Sequence, residues 1–541
     1  MDWLGRIVLL KPPLARGRSY FLSTPTGLLV VAAALEAEGL DPVVVDMALD
    51  FAEGTLAAGP GLCEAAAGRL AAMEAEIYGF SVQCVSLPIA LEIARRLRRL
   101  RPRSRVVFGG HHATLVGERL RERFPFVDQV MAGRIESRLP QPAGRWIMPA
   151  YSRSPAWERY VRASARPMGL IEVVRGCAFK CRFCSVPVVA DGRAESKPVE
   201  MVLGEAAWWI GQGCREVYLV GDTLTLDPEY TGRLLDALAG ARLGLQWGGA
   251  TRLDLMSPGL LERMSQAGCR AVLYGVESAE PGTRSGLNKG GRPYPDLLEV
   301  VKWHIELGVR PSLYFVVDLP NDTAAGLEAS LDLASHLSAL WPGVCHFQRY
   351  RPVPGTELAR EWSGMLRCDT DTAYASPVWQ TVGEASEVWD IVAGNPDLCS
   401  TFYTIPGPAS PEAASALDWV GDRVFETFPL TLTALAEEHA LLGLFHELGK
   451  MRGGRRWMEV SADGLADLVE ECAARLSSEL AGVALYEYRR WREIRAQPAA
   501  CLQDRMLLRG LDLEVVSQAA PNTNPPLEEP ALPGRQRPNT E

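Results

Sequence analysis

Three cysteines share one short segment, Arg175-Gly176-Cys177-Ala178-Phe179-Lys180-Cys181-Arg182-Phe183-Cys184, with the spacing C-x3-C-x2-C. Three thiolates on one loop can bind three corners of a cuboidal iron–sulfur cluster and leave the fourth iron open to a chelating small molecule. A zinc site would want a fourth Cys or His nearby, and three unrelated core cysteines would need no common spacing. Both stay open as alternatives at this point. The other nine of the twelve cysteines (63, 84, 214, 269, 345, 368, 399, 472 and 501) are scattered singly and read as small buried hydrophobes.

The elements that must position the triad are legible from periodicity. Up to about residue 137, short apolar runs alternate with helical periods, the pattern of a parallel sheet flanked by helices. Strands are expected at 7–10, 43–46, 77–80, 105–108 and 127–131, with helices at 26–38 (capped by Ser23 or Thr24) and 88–100. This makes an open doubly wound sheet. A proline-bearing stretch, 141–168, reads as a linker. Six further strands follow at 170–174, 216–220, 246–250, 271–276, 311–317 and 344–350, separated by helices, which predicts a partial parallel barrel with the triad just after its first strand. Beyond about 358, helical periods at 411–426, 430–448 and 462–491 predict a helical C-terminal domain. Residues 517–541 have too few apolar side chains to offset ordering entropy and are expected to be disordered.

The chain has 541 residues and a net charge of −10, which argues against a nucleic-acid footprint. Arginines 95, 96, 98, 99 and 101 read as the solvated face of a helix. No apolar run is long enough to span a bilayer, and the N-terminus lacks the regions of a signal peptide. A cytoplasmic protein without disulfides is expected.

The triad, with an aromatic residue before its last cysteine, closely resembles the radical SAM superfamily, which places it after the first barrel strand. The resemblance implies a [4Fe–4S] cluster on Cys177, Cys181 and Cys184, with S-adenosylmethionine (SAM) chelated to the open iron and cleaved by an electron delivered through the cluster. It also implies that Phe183 approaches the adenine and that Gly221-Asp222 takes the place of Gly-Gly-Glu at the SAM amino group, Asp for Glu being a departure. Arg252, Glu277 and Ser278 would meet the methionyl part and ribose. Asp318-Leu319-Pro320-Asn321 departs from the family's Gly-x-Pro-Gly.

The first domain resembles the cobalamin-binding domain that precedes many radical SAM domains, through Lys11-Pro12-Pro13, Pro25-Thr26-Gly27-Leu28, Gly79-Phe80-Ser81, Gly109-Gly110-His111-His112 and Gly133-Arg134-Ile135-Glu136. Ligands of such sheets sit at the carboxyl ends of the strands. The cobalamin contacts implied are therefore Pro12, Pro13, Gly27, Ser81, Gly109, Gly110, His111 and Gly133. The motif Asp-x-His-x-x-Gly is absent, so a histidine below cobalt is not expected; Arg16 and Arg18 lie in the loop that would face that side. Taken together, the resemblance implies a Rossmann-like cobalamin domain at 1–140, a radical SAM domain at 169–358 and a helical substrate or capping domain at 359–516. The implied activity is methyl transfer from methylcobalamin to an unactivated carbon of a small-molecule or peptide substrate, served by an electron donor such as flavodoxin or ferredoxin. Ring contraction, oxidative cyclisation and a non-catalytic sensor are the alternatives.

Overall fold

The computed structural model describes residues 6–495 apart from 16–21, 139–145, 165–166, 191, 291–293, 385, 439, 453–456, 458–459 and 477. Arg16, Arg18, Cys501 and the 517–541 tail lie outside the described residues.

Five strands, β1 (Ile7–Lys11), β2 (Pro42–Asp46), β3 (Ile77–Ser81), β4 (Arg105–Gly109) and β5 (Gln129–Met131), form a parallel sheet in the order β2-β1-β3-β4-β5. Their residues are apolar on both faces because helices cover both. The order reverses between β1 and β3, so the loops leaving these two strands diverge and open a crevice at their carboxyl ends. Two helices, Met47–Ala52 and Leu62–Ala71, fill the stretch before β3, which periodicity had left without elements. The first is capped by Asp46, whose side chain accepts from the amides of Ala48 and Leu49 at 3.1 Å. The expected Ser23 or Thr24 cap does not form: Pro25 takes the N-cap position of the Thr26–Ala37 helix, with no side-chain cap bond.

The second sheet contains β6 (Gly169–Arg175), β7 (Glu195–Ser196), β8 (Glu216–Gly221), β9 (Gln246–Arg252), β10 (Cys269–Glu277), β11 (Arg310–Val317) and β12 (Cys345–Arg349). Its order is β12-β11-β10-β9-β8-β6-β7. Six strands run parallel in sequence order, as the repeat predicts, and β7 adds a short antiparallel pair, Val174 with Ser196 and Arg175 with Glu195. That strand is two residues long, too short to show a period.

The lateral edge at β12 is covered by the helix Pro411–Thr427. Its Asp418 and Asp422, one turn apart, accept from the edge amides of Arg349 (3.0 Å) and Phe347 (2.7 Å), two residues apart on the strand. The helix thus satisfies donors that an open edge would leave unpaired. Gly421 permits the approach: a Cβ there would sit 3.2 Å from the Phe347 ring.

Packing divides the expected 359–516 helical domain. The helices Ser376–Val382 and Glu387–Gly394, together with Leu398, Phe402 and Tyr403, share a core with Leu10, Phe80, Leu87, Leu91 and Phe108 of the N-terminal domain. The helices from Pro411 onward instead join the core of the second sheet. Helical periodicity shows that one face is apolar but not which sheet covers it.

Three other expectations change. The linker is structural: Trp157 and Tyr160 are buried, the Tyr160 hydroxyl donates to Asp46 at 2.8 Å, and the Tyr151 hydroxyl donates to Glu205 at 2.6 Å. Arg95 and Arg96 do not form a solvated face but converge on buried Glu92 and on Glu387 at the start of the Glu387–Gly394 helix. Cys368 is exposed rather than buried.

Candidate functional site

The cysteine loop leaves β6 through Gly176, at φ +79°, where a Cβ would lie 1.9 Å from the Arg193 carbonyl oxygen. Only glycine fits that turn. The amide of Gly176 donates to Asp222 Oδ2 at 2.6 Å, so the end of β8 holds the start of the loop. Cys177 is buried with its Sγ 3.3 Å from Thr223 Oγ1, and the Val186 amide donates to Cys184 Sγ at 3.4 Å. Arg252 Nη1 lies 3.6 Å from Cys181 Sγ. Burial pushes the Cys181 and Cys184 thiols up, the latter to about 12, while Lys289 and Arg252 pull Cys181 back down. Binding a metal here must displace protons that burial holds in place.

The donor set suits an iron–sulfur cluster. Among the described residues no three His, Cys, Asp or Glu side chains are grouped to hold one metal ion. Cysteines of a cubane each meet a different iron and need no common point, whereas zinc requires four ligands around one centre. Among the described residues the zinc alternative therefore has no ligand set.

Around the loop, three strands of the second sheet end in buried ion pairs. Asp254 accepts from Arg252 Nε and Nη2 at 2.8 and 2.6 Å. Glu277 is paired with Lys289, which also donates to the Gly275 carbonyl at 2.8 Å. Asp318 pairs with Arg349 at 2.7 Å. Glu277 and Asp318 both hold φ near +65°, at 65° and 63°, a left-handed conformation unusual for non-glycine residues. Gly275 makes room for the second pair, since a Cβ there would overlap Lys289 Nζ and Glu277 Oε1. Lys289 carried no sequence signal; it sits on a loop twelve residues past Glu277, and only the fold brings it back.

The remaining expected SAM contacts are placed as follows. Gly221 closes β8 against Val174. Phe183 packs against an apolar cluster of Leu287, Leu319, Tyr350, Leu358 and Ile405. Ser278 is drawn into the turn after β10, where its Oγ accepts from the Glu280 amide at 3.1 Å and lies 3.4 Å from Ser330 Oγ. That hydroxyl is already used locally.

At the N-terminal sheet, Pro12 and Pro13 are buried directly after β1, and the following Ala15 amide donates to Thr381 Oγ1 at 2.7 Å. The Ser376–Val382 helix therefore anchors the start of the loop after β1. Gly109 ends β4, and Gly110, at φ +93°, lies so close to β3's exit that a Cβ would meet Val82 N and O at 3.0 Å and Ser81 Oγ at 3.1 Å. Gly27 and Gly133 face open space: a Cβ at either would meet nothing within 4 Å. His112 points inward instead. Its Nε2 donates to the Leu398 carbonyl at 2.8 Å, which fixes the tautomer and makes Nδ1 the acceptor for the Cys84 thiol, also at 2.8 Å. Burial lowers its pKa to about 4.

The two sheets meet at this site. His111 Nε2 lies 3.0 Å from Ser185 Oγ, the residue after Cys184. Arg134 pairs with Glu195 at 2.8 Å, and Glu136 pairs with Arg175 at 2.5 Å.

Comparison with known proteins agrees with both halves. Residues 14–143 match the B12 binding domain and residues 171–334 match the Radical SAM superfamily. An uncharacterized methyltransferase of Pyrococcus horikoshii is 22% identical over 392 residues, covering 65% of this chain and 82% of that protein. A bacteriochlorophyllide d C-12(1)-methyltransferase of Chlorobaculum tepidum is 24% identical over 201 residues, 36% of this chain and 43% of that protein, so the match spans less than half of that relative. Among solved structures, TsrM from Kitasatospora setae, a radical SAM methyltransferase with cobalamin and a [4Fe–4S] cluster bound, has a TM-score of 0.56 at 17% identity, covering 86% of this chain and 99% of that one. The cobalamin-dependent radical SAM enzyme OxsB has a TM-score of 0.55 at 12% identity, covering 94% and 83%. At such identities the likeness is one of fold, here extending through all three regions. An α/β sheet of B12-binding type is thus joined through His111 and Ser185 to a cysteine loop of radical SAM type, and the chain carries a domain of the Radical SAM superfamily at 171–334 behind a B12 binding domain at 14–143.

Proposed function

We propose that this protein is a cobalamin-dependent radical SAM methyltransferase that places a methyl group on an unactivated carbon of a small-molecule or peptide substrate. The observation that carries the reading is the direct junction between the β4 loop of the B12-binding domain and the residue that follows Cys184. It brings the carboxyl ends of both sheets to one place. When bound, the cluster, SAM and cobalamin supply reductive cleavage of SAM and a transferable methyl group.

The chain's own part is to bind, orient and exclude water. Cys177, Cys181 and Cys184 would hold the cluster, and Asp222 at the end of β8 presents a carboxylate toward a ligand's amino group. The paired charges at β9, β10 and β11 suit a zwitterionic ligand such as SAM, because fixed ion pairs present both signs without reorganising. Gly27, Ser81, Gly109, Gly110, His111 and Gly133 would border the corrin and its tail. A small-molecule substrate agrees with the TsrM structure that holds tryptophan and the SAM analogue aza-SAM. A low-potential one-electron donor such as flavodoxin or ferredoxin would deliver the electron.

Anaerobic reconstitution tests the reading. Iron, sulfide and cobalamin should each bind stoichiometrically, and SAM with a reductant should yield 5′-deoxyadenosine. A substrate mass gain of one methylene identifies methyl transfer, and its absence with a rearranged product identifies ring contraction or cyclisation. Failure to bind cobalamin would overturn the proposal.

A further inference from the structure

Arg252 leaves β9 with its guanidinium held on every side but one. Asp254 accepts from Nε and Nη2, the Lys289 carbonyl lies 3.5 Å from Nη2, and the ring of Phe179 stacks on it with Cζ 3.8 Å from the ring centroid. The remaining nitrogen, Nη1, is aimed at Cys181 Sγ. The residue is only 6% exposed, so this donor acts where the dielectric is low and water does not compete. Phe179 and Cys181 belong to the same loop, and Asn288 Nδ2 fastens that loop by donating to the Lys180 carbonyl at 2.8 Å. The clamp and its target are therefore held together.

We infer that Arg252 tunes the cluster: it donates a fixed N–H···S hydrogen bond to the Cys181 thiolate and raises the reduction potential. The inference rests on reading the triad as the seat of a [4Fe–4S] cluster. Reduction adds one electron from a low-potential one-electron donor, and part of the added negative charge falls on the cysteine sulfurs. A donor already pointed at one of them stabilises the reduced state more than the oxidised state, and hydrogen bonds to the sulfurs are one of the levers that set such potentials. Because Asp254 already neutralises the guanidinium, the effect lies in the aimed N–H and not in net charge. Lysine has no planar fork to bridge Asp254 and the thiolate together, so it should not substitute. Of the three thiols only Cys181 receives such a charged donor; Cys177 faces a hydroxyl and Cys184 a backbone amide.

The test uses the full chain, reconstituted anaerobically, as wild type, Arg252→Gln, Arg252→Lys and Phe179→Leu. Glutamine can still donate to Asp254 but falls short of the thiol. Iron and sulfide are quantified first, then the midpoint potential is measured by redox titration followed by electron paramagnetic resonance. Iron-replete Arg252→Gln should be harder to reduce by at least tenfold in the reduction equilibrium, 59 mV for one electron. Arg252→Lys should not restore the wild-type value, and Phe179→Leu, which frees the guanidinium, should shift less in the same direction. An unchanged or higher potential in iron-replete Arg252→Gln overturns the inference. Should that variant fail to hold iron, Phe179→Leu decides by the same criterion. Absence of iron from the wild type would instead remove the cluster reading itself.

Discussion

At the strand ends of the N-terminal sheet the left-handed backbone positions belong to glycines, Gly110 and Gly133, whereas at the ends of β10 and β11 they belong to Glu277 and Asp318. For an L-residue that conformation costs about 1–2 kcal/mol. At the second sheet it persists because Lys289 and Arg349 hold the two carboxylates in a buried, low-dielectric setting. The first sheet has removed side chains and the second has fixed charges. On the proposed function, the difference matches what each end would receive: bulk in one case, a charged ligand in the other.

The largest test of this contrast lies at the triad. Cys181→Ala should lose essentially all reconstituted iron and sulfide and all 5′-deoxyadenosine formation while retaining cobalamin. Full iron retention would break the division of labour between the sheets.

Next in size is Lys289→Met, which leaves Glu277 buried without its cation. A destabilisation of about 3–5 kcal/mol is expected in denaturant titration. A negligible loss would mean that the left-handed turn at Glu277 does not depend on the pair.

Helices packed against each sheet also carry a buried neutral histidine, His112 beside the first and His304 beside the second. His304 donates from Nδ1 to the Val309 carbonyl and accepts at Nε2 from the Tyr274 hydroxyl, at 2.7 and 3.0 Å. Burial lowers its pKa to about 4, as it does for His112. Both pKa values are depressed in the fold, so below about pH 6.5 the unfolded chain takes up protons that the folded chain refuses. Stability is full above pH 6.5 and falls as pH drops toward 4, by about 3 kcal/mol for each histidine. Thermal unfolding between pH 7 and 4.5 should show this, and His112→Gln should flatten the dependence of the N-terminal transition alone.

The smallest effects are at the glycines. Gly110→Ala, strained and pressed against Val82, should cost about 2 kcal/mol, and Gly133→Ala, strained but facing open space, about 1 kcal/mol. Reversal of that order in thermal unfolding would mean that contact, not backbone strain, contributes little at this sheet end.

Much of this was legible beforehand. All eleven expected strands stand within two residues of their predicted bounds, β5 beginning at Gln129 rather than 127. Apolar runs of four to eight residues flanked by helical periods are a local property, and so is the spacing of Cys177, Cys181 and Cys184. Residues 376–403 are grouped by periodicity with the helices from Pro411 onward although they pack on the N-terminal sheet, and Arg95 and Arg96 read as solvent-facing, because amphipathicity does not say what lies opposite. Ser278 is expected at a ligand, and no local pattern shows that its hydroxyl also accepts from the Glu280 amide in the turn that follows β10.

The sequence alone determined the two βα series, their order and the chelating loop between the first two strands of the second series, since each follows from short-range periodicity and residue chemistry. Only the tertiary structure decided that Lys289 returns to Glu277, that Arg252 turns its last free nitrogen to Cys181, and that His111 reaches Ser185. Hydrogen bonds and ion pairs are directional and short, so they depend on where distant segments are carried by the packed sheets, and no local pattern encodes that.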